Sequence, residues 1–314
     1  MSAGVQQAPL QFTATSSQLA VAYSVCRGIT RSSAKNFYYA FLVLPRAKRE
    51  ALYAVYAFMR GCDDIADDPA LPLQERRNKL AERLDGLHRA QAGEPTDDAV
   101  LLALTDAQRK YEIPSALLDQ LAFGTMMDVQ DGESGAEASV PHALAVQYHT
   151  FEDLYEYCYR VASVVGLVCI RVFGYHDPAA ESLAERCGLA FQLTNIIRDV
   201  KEDAEMGRVY LPAKDLASFG ITACEIAEAK DAARFRPLLA MEAERARNFY
   251  RAGDELIPLV DEDSQPALWV LINIYRRLLD KISQQQYDVF HGKINLTVRE
   301  KLTILAKGFL KRLG

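Results

Sequence analysis

The sequence predicts an all-α protein folded as one helical domain. Three observations carry this. Apolar residues recur at helical spacing along almost the whole chain, strand signals are nearly absent, and no solenoid-length repeat or sharp compositional boundary divides the 314 residues. Half of the residues are hydrophobic, enough for a large buried core. Residues 1–18 read as a flexible N-terminus and residues 19–314 as the domain.

In chain order, Ala34 to Arg60 reads as a helical region that Pro45 interrupts, with a fresh start in "RAKREALYAVYAFMR". Leu52, Val55, Tyr56 and Met59 there fall at i, i+3, i+4, i+7. Pro69 and Pro72 end the region. A charged amphipathic helix follows from Leu73 to Ala92, then a loop, "AGEPTDD", then helices from Asp97 to Tyr111 and Pro114 to Val129. "DGESGAEASVPHAL" is a Gly/Ser/Pro connector. Phe151 to Phe173 is the most hydrophobic helix, and Gly166 with its small neighbours suggests close helix contact. The helix from Pro178 to Asp203 is broken by Gly207 and Pro212. Three more stretches, Arg236 to Gly253, Gln265 to Tyr287 and Thr297 to Leu313, complete the chain.

Composition excludes several classes. The net charge is −6 and no Lys/Arg block is present, so nucleic-acid binding has no electrostatic footprint. The best membrane-span candidate, "VASVVGLVCI", is too short and runs into Arg171. "MSAGVQQAPLQF" lacks the basic and apolar regions of a secretory signal. Six cysteines form no CxxC pair, which reads as free, mostly buried thiols in a reducing cytoplasm. The final "LAKGFLKRLG" is basic and partly apolar, so peripheral membrane contact is weighed beside a plain terminal helix. A monomer or weak dimer is expected.

The chemistry sits in two acidic clusters. In "RGCDDIADD", Asp63 and Asp67 stand at i, i+4, on one helical face. Like charges at that spacing destabilise an isolated helix by about 0.2–0.5 kcal/mol. Carboxylates at a helix C-terminus also face the negative end of its dipole. In "NIIRDVKED", Asn195, Asp199 and Asp203 stand at i, i+4, i+8, again behind an apolar segment. One such cluster is accounted for by a solvated helix end; two, each closing an apolar helix, point to a cation. Hard oxygen ligands of this kind suit Mg²⁺, which binds through a few carboxylates plus substrate phosphates. Arg60, Arg198 and Arg208 lie beside the clusters, and guanidinium suits phosphate oxygens.

These residues resemble the squalene/phytoene synthase family of head-to-head isoprenoid synthases, from about Ala34 to Lys301. The resemblance is carried by "YAFMRGCDDIADD", "YCYRVASVVG" and "QLTNIIRDVKEDAEMGRVYLP". It implies a class I isoprenoid synthase fold around a central cavity that binds two prenyl diphosphates through three Mg²⁺ ions. Carried over, Asp63 and Asp67 would ligate metal on one rim, and Asn195, Asp199 and Asp203 on the other. Arg60, Arg198 and Arg208 would organise diphosphate. Tyr56 belongs to the first motif, and Tyr157 would handle a proton or the leaving group. Phe37, Gln192, Tyr275 and Lys293 would contact substrate, and Phe41 would line the tail pocket. One departure is Ser163, where the family often has glycine.

The motif wording favours farnesyl diphosphate as substrate, coupled to presqualene diphosphate and onward to squalene or a related C30 product. The alternative is a phytoene synthase that couples two geranylgeranyl diphosphates. A terpene cyclase and a non-catalytic scaffold of the same fold are the other classes weighed. No Gly-rich dinucleotide fingerprint is present, and the family's reductases lack one too, so NADPH use stays open.

Overall fold

The computed structural model describes residues 14–33, 35–134, 145–229 and 232–313. The elements are α1 (Ser16–Ser33), α2 (Lys35–Phe41), α3 (Arg46–Ala66), α4 (Leu73–Gln91), α5 (Ala99–Lys110), α6 (Ser115–Ser134), β1 (Ala145–Val146), α7 (Phe151–Cys158), a π-helical turn (Tyr159–Ser163) and α8 (Val164–Phe173). Then come α9 (Ala179–Glu205), β2 (Arg208–Val209), α10 (Ala213–Ser218), α11 (Ala223–Ala227), α12 (Arg236–Leu256), α13 (Gln265–Gln284) and α14 (Val298–Leu313), with two short 3₁₀ turns. The architecture is all-α, as expected.

Local chemistry sets several boundaries. Asp98 starts α5 by accepting from the Val100 and Leu101 amides at 2.7 and 3.1 Å. Thr150 with Asp153, and Thr222 with Glu225, form capping boxes at α7 and α11. Gly207, at φ +81°, turns the chain out of α9.

Some elements were not legible in the sequence. α1 begins at Ser16, inside the stretch expected to be flexible; residues 1–13 lie outside the described residues. Its buried stripe is only Ala22, Cys26 and Thr30, small residues with weak periodic contrast. Packing on α3 and α5 and a Tyr23 hydroxyl bond to Asp106 at 2.7 Å supply the rest. α10, α11 and the two parallel two-residue strands are too short to leave a pattern. The connector expected from residue 131 starts later, because α6 runs on to Ser134; residues 135–144 lie outside the described residues.

α9 is the central helix. α12 lies along it, and the π turn and α8 cross it on another side. There the backbones nearly touch. A Cβ on Gly188 would stand 2.7 Å from the Ala162 carbonyl oxygen, and one on Gly166 2.8 Å from that of Ala184. Ser163, the departure from the family pattern, is buried in this contact and donates its hydroxyl to the Glu185 carbonyl at 2.8 Å. The serine therefore adds a bond where the helices meet. Gly188→Leu is expected to destabilise the protein by about 1–3 kcal/mol through overpacking, read from the urea midpoint. An unchanged midpoint would show that the helices can part freely.

Candidate active site

Helices α2, α3, α8, α9 and α13 surround an apolar cavity of about 910 Å³, its open mouth included. On α3 it is lined by Leu52, Val55, Tyr56 and Met59, the same four residues that share the periodic face in the sequence. The next turns of that helix carry Arg60, Asp63 and Asp67. On α9 the lining passes from Gly188 to Gln192 and Asn195, and the next turns carry Asp199 and Asp203. Both helices thus change from apolar to charged towards their C-terminal ends, which gives the cavity a dry body and a charged mouth.

At the α3 side of the mouth, Asp67 is the C-cap, and its amide donates to the Asp63 carbonyl at 2.9 Å. The i, i+4 spacing therefore survives to the end of the helix. Asp63 is half-buried and accepts from the Thr125 hydroxyl at 3.3 Å, while Asp67 is exposed. Arg60 is paired with Asp64. The Tyr56 phenol is pushed up to about 12, chiefly by burial.

At the α9 side, Arg198 grips Asp199 with two nitrogens, the Nε bond measuring 2.7 Å. Lys293 reaches the same carboxylate at 3.1 Å and is also bonded to Glu202. The segment carrying Lys293 is tied down by the Lys201 ammonium, which donates to the Phe290 carbonyl at 2.9 Å. The Asp203 carboxyl is pushed up to about 7, first by burial and next by the neighbouring Asp199 charge, although Arg208 opposes this.

Aromatic residues line the upper wall. Phe37 packs against Phe41, Tyr56 and Tyr275 at centroid distances of 5.9, 6.3 and 6.1 Å. Phe191 stacks on Tyr275 at 4.5 Å. The buried Tyr275 hydroxyl is hydrogen-bonded with Asn195 and Asn36. Phe37, Phe41, Gln192, Asn195 and Tyr275 are thus gathered on one cavity.

Tyr157 is placed differently. It is buried one turn before the lining residue Val161, stacked on Tyr210 at 5.1 Å and beside Tyr148 at 5.3 Å. Tyr210 and Arg208 belong to the "RVYLP" tail, which β1 holds in register, Ala145 opposite Arg208. Asp203 and Arg208 share a small recess with Tyr210, apart from the apolar cavity.

Sequence reasoning missed Thr125, Asn36, Glu202 as the partner of Lys293, and the Tyr148–Tyr210 stack. Thr125, Asn36 and Tyr148 come from elements distant in the chain and carry no periodic signal, and Glu202, although on α9 beside Asp199, gains its partner only when the distant Lys293 folds onto it. Oxygen donors able to hold a hard cation are Asp63, Asp67, Asn195, Asp199 and Asp203. Among the described residues no three acidic, His or Cys side chains are already gathered closely enough to hold a metal alone. Among the same residues no helix is long and apolar enough to cross a membrane.

The sequence matches the profile of the squalene/phytoene synthase family over residues 30–300. It is 34% identical to a 15-cis-phytoene synthase of Synechococcus elongatus, with 98% of each chain covered. It is 35% identical to a phytoene synthase of Mycobacterium tuberculosis, covering 91% of this chain and 89% of that one. Among solved structures, a dehydrosqualene synthase superposes with a TM-score of 0.81 at 30% identity, over 93% of this chain and 96% of that one.

The Asp203 environment has a measurable consequence. A carboxyl raised from 3.8 to about 7 makes the folded state bind the extra proton, so its contribution to stability falls as pH rises between those values. Asp203→Asn is expected to raise the thermal midpoint of the EDTA-treated protein at pH 8, with the gain shrinking towards pH 4. A gain of equal size at both pH values would contradict this origin.

Proposed function

This chain belongs to the squalene/phytoene synthase family, and from that premise we propose that it joins two geranylgeranyl diphosphates head to head to form phytoene. The observation that carries the substrate choice is the naming of its relatives: curated proteins 32–35% identical over 90% or more of this chain are phytoene synthases. The sequence-based expectation of farnesyl diphosphate and a presqualene diphosphate or squalene product is corrected by the same finding. Motif wording alone misled, because the motifs bind diphosphate and metal, which both substrates share; tail length is read elsewhere in the cavity.

The site supports this reading in three ways. The apolar body of the cavity excludes water from an allylic cation. The aromatic faces of Phe37, Phe191 and Tyr275 can stabilise positive charge near the mouth. The charged mouth can hold the diphosphates. Arg198 and Lys293, both resting on Asp199, are placed to release that carboxylate and take diphosphate oxygens, and Arg60 can do the same from Asp64.

The acid set fits Mg²⁺. Its donors are hard oxygens, and the raised Asp203 carboxyl marks negative charge in need of a cation. No ready-made three-acid cluster is required, because Mg²⁺ commonly takes one or two carboxylates and completes its shell with phosphate and water. Asp63 and Asp67 would hold it from α3; Asn195, Asp199 and Asp203 would hold it from α9. When bound, Mg²⁺ supplies positive charge where the leaving diphosphate develops negative charge. Tyr157, stacked behind the Arg208 strand, would act by positioning that strand. Formation of phytoene ends in loss of a proton, so this reading needs no NADPH.

The test is incubation of the full chain with Mg²⁺ and either geranylgeranyl or farnesyl diphosphate, with and without NADPH, and mass spectrometry of the lipids. Phytoene from the C20 substrate, indifferent to NADPH, is expected; a C30 product as the main output would overturn the substrate assignment. Asp63→Asn and Asp199→Asn are each expected to lower turnover by about a hundredfold or more with the helical circular dichroism unchanged. Full activity in either variant would refute the metal assignment.

A further inference from the structure

Away from the charged mouth the cavity lining reaches Leu52 on α3 and Phe173 on α8, and one lysine clamps that end. Lys48 stands one turn below Leu52 on α3, about 22 Å along the helix from Asp63. Its ammonium donates to the Phe173 carbonyl oxygen at 2.7 Å, Asp261 Oδ2 at 3.0 Å, Asp263 Oδ1 at 2.6 Å and Ser264 Oγ at 3.0 Å. The Ser264 hydroxyl in turn bonds the same Phe173 carbonyl at 2.9 Å and Asp263 at 2.9 Å. Phe173 is the last residue of α8, where carbonyls lack intrahelical partners and a cation is favoured by the helix dipole.

The turn beyond it is equally constrained. Gly174 has φ +75°, and a Cβ there would stand 2.0 Å from Asp261 Oδ2. The Asp261 amide donates to the Gly174 carbonyl at 3.0 Å. Thus α3, the end of α8 and the start of α13 are locked together at one polar point. The Phe173 ring is buried and lines the cavity with Leu52, Ile170, Leu268 and Leu271.

We propose that Phe173, fixed by the Lys48 clamp, is the floor that sets the longest prenyl tail the cavity accepts. This rests on the prenyl diphosphate reading above. A tail whose diphosphate is held at the mouth must place its terminal isoprene unit towards this end. A floor free to slide would yield to a longer tail. One whose carbonyl is held by an ammonium and a hydroxyl, themselves anchored on Asp261 and Asp263, meets a longer tail as overpacking and leaves a void under a shorter one. Phe173 is then a specificity-determining residue and Lys48 a positioning residue.

The test measures binding of non-hydrolysable prenyl thiodiphosphates with C15, C20 and C25 tails to the full chain, by competition. Wild type is expected to bind C20 most tightly. Phe173→Ala is expected to raise C25 affinity relative to C20 by about tenfold or more, and Phe173→Leu, which keeps most of the buried apolar area, by less. Lys48→Met is expected to shift the same ratio in the same direction. An unchanged ratio in both folded Phe173 variants would overturn the floor. Equal weakening of all three tails by Lys48→Met would reduce Lys48 to a plain stabilising role and overturn its positioning role. Wild type that binds none of the three would instead overturn the prenyl reading.

Discussion

The contact on which this structure turns is the near touching of two backbones, where the π turn and α8 cross α9. Gly188 and Gly166 leave room for the facing carbonyls of Ala162 and Ala184, and Ser163 stitches the same seam to Glu185. Side chains of ordinary size would hold the helices apart. Both glycines also line the cavity, so its wall is almost backbone at this point. The same contact sets the rotation of α9, so that Gln192 and Asn195 face inward and Asp199 and Asp203 follow at the mouth.

The mouth itself is a set of charges held in provisional pairs. Arg198 and Lys293 share Asp199, Arg60 takes Asp64, and Asp203 keeps its proton more firmly than a free carboxylate would. Burying like charges together opposes folding, and the basic side chains reduce that opposition without abolishing it. The arrangement is consistent with a site that takes up cations and phosphate together, since each side chain in a pair then finds a partner of the kind it already has. At the far end the logic reverses. Lys48 and its four acceptors are sequestered from the apolar chamber, and their bonds are to backbone and neighbouring side chains fixed by the fold. One end is built to exchange partners and the other to keep them.

Much of this was legible in the residues. The i, i+3, i+4, i+7 face of α3 is the wall of the cavity, and the acidic spacings on α3 and α9 are the mouth, because helical periodicity maps spacing directly onto a face. Lys293, expected to contact substrate, sits on Asp199. Tyr157 shows the limit: its motif context gave it a reacting role, and its stacking on Tyr210 left no mark in its own segment. The proposed substrate shows it again, since motifs assigned to metal and diphosphate are silent about the tail.

What the sequence determined by itself is therefore whatever depends on neighbours within a few residues: the helical class, the apolar faces, the two carboxylate ladders and the breaks at Pro45, Pro72 and Gly207. What only the tertiary structure decided is whatever depends on residues far apart in the chain. Among these are the pairing of Lys293 with Asp199, the gathering of Asn36, Asn195 and Tyr275, the α8–α9 seam and the grip of Lys48 on the Phe173 carbonyl. The physical reason is that a helix imposes its own period on every side chain it carries, so faces can be read locally. A hydrogen bond between distant elements imposes no period and leaves no mark in either segment until packing brings the two together.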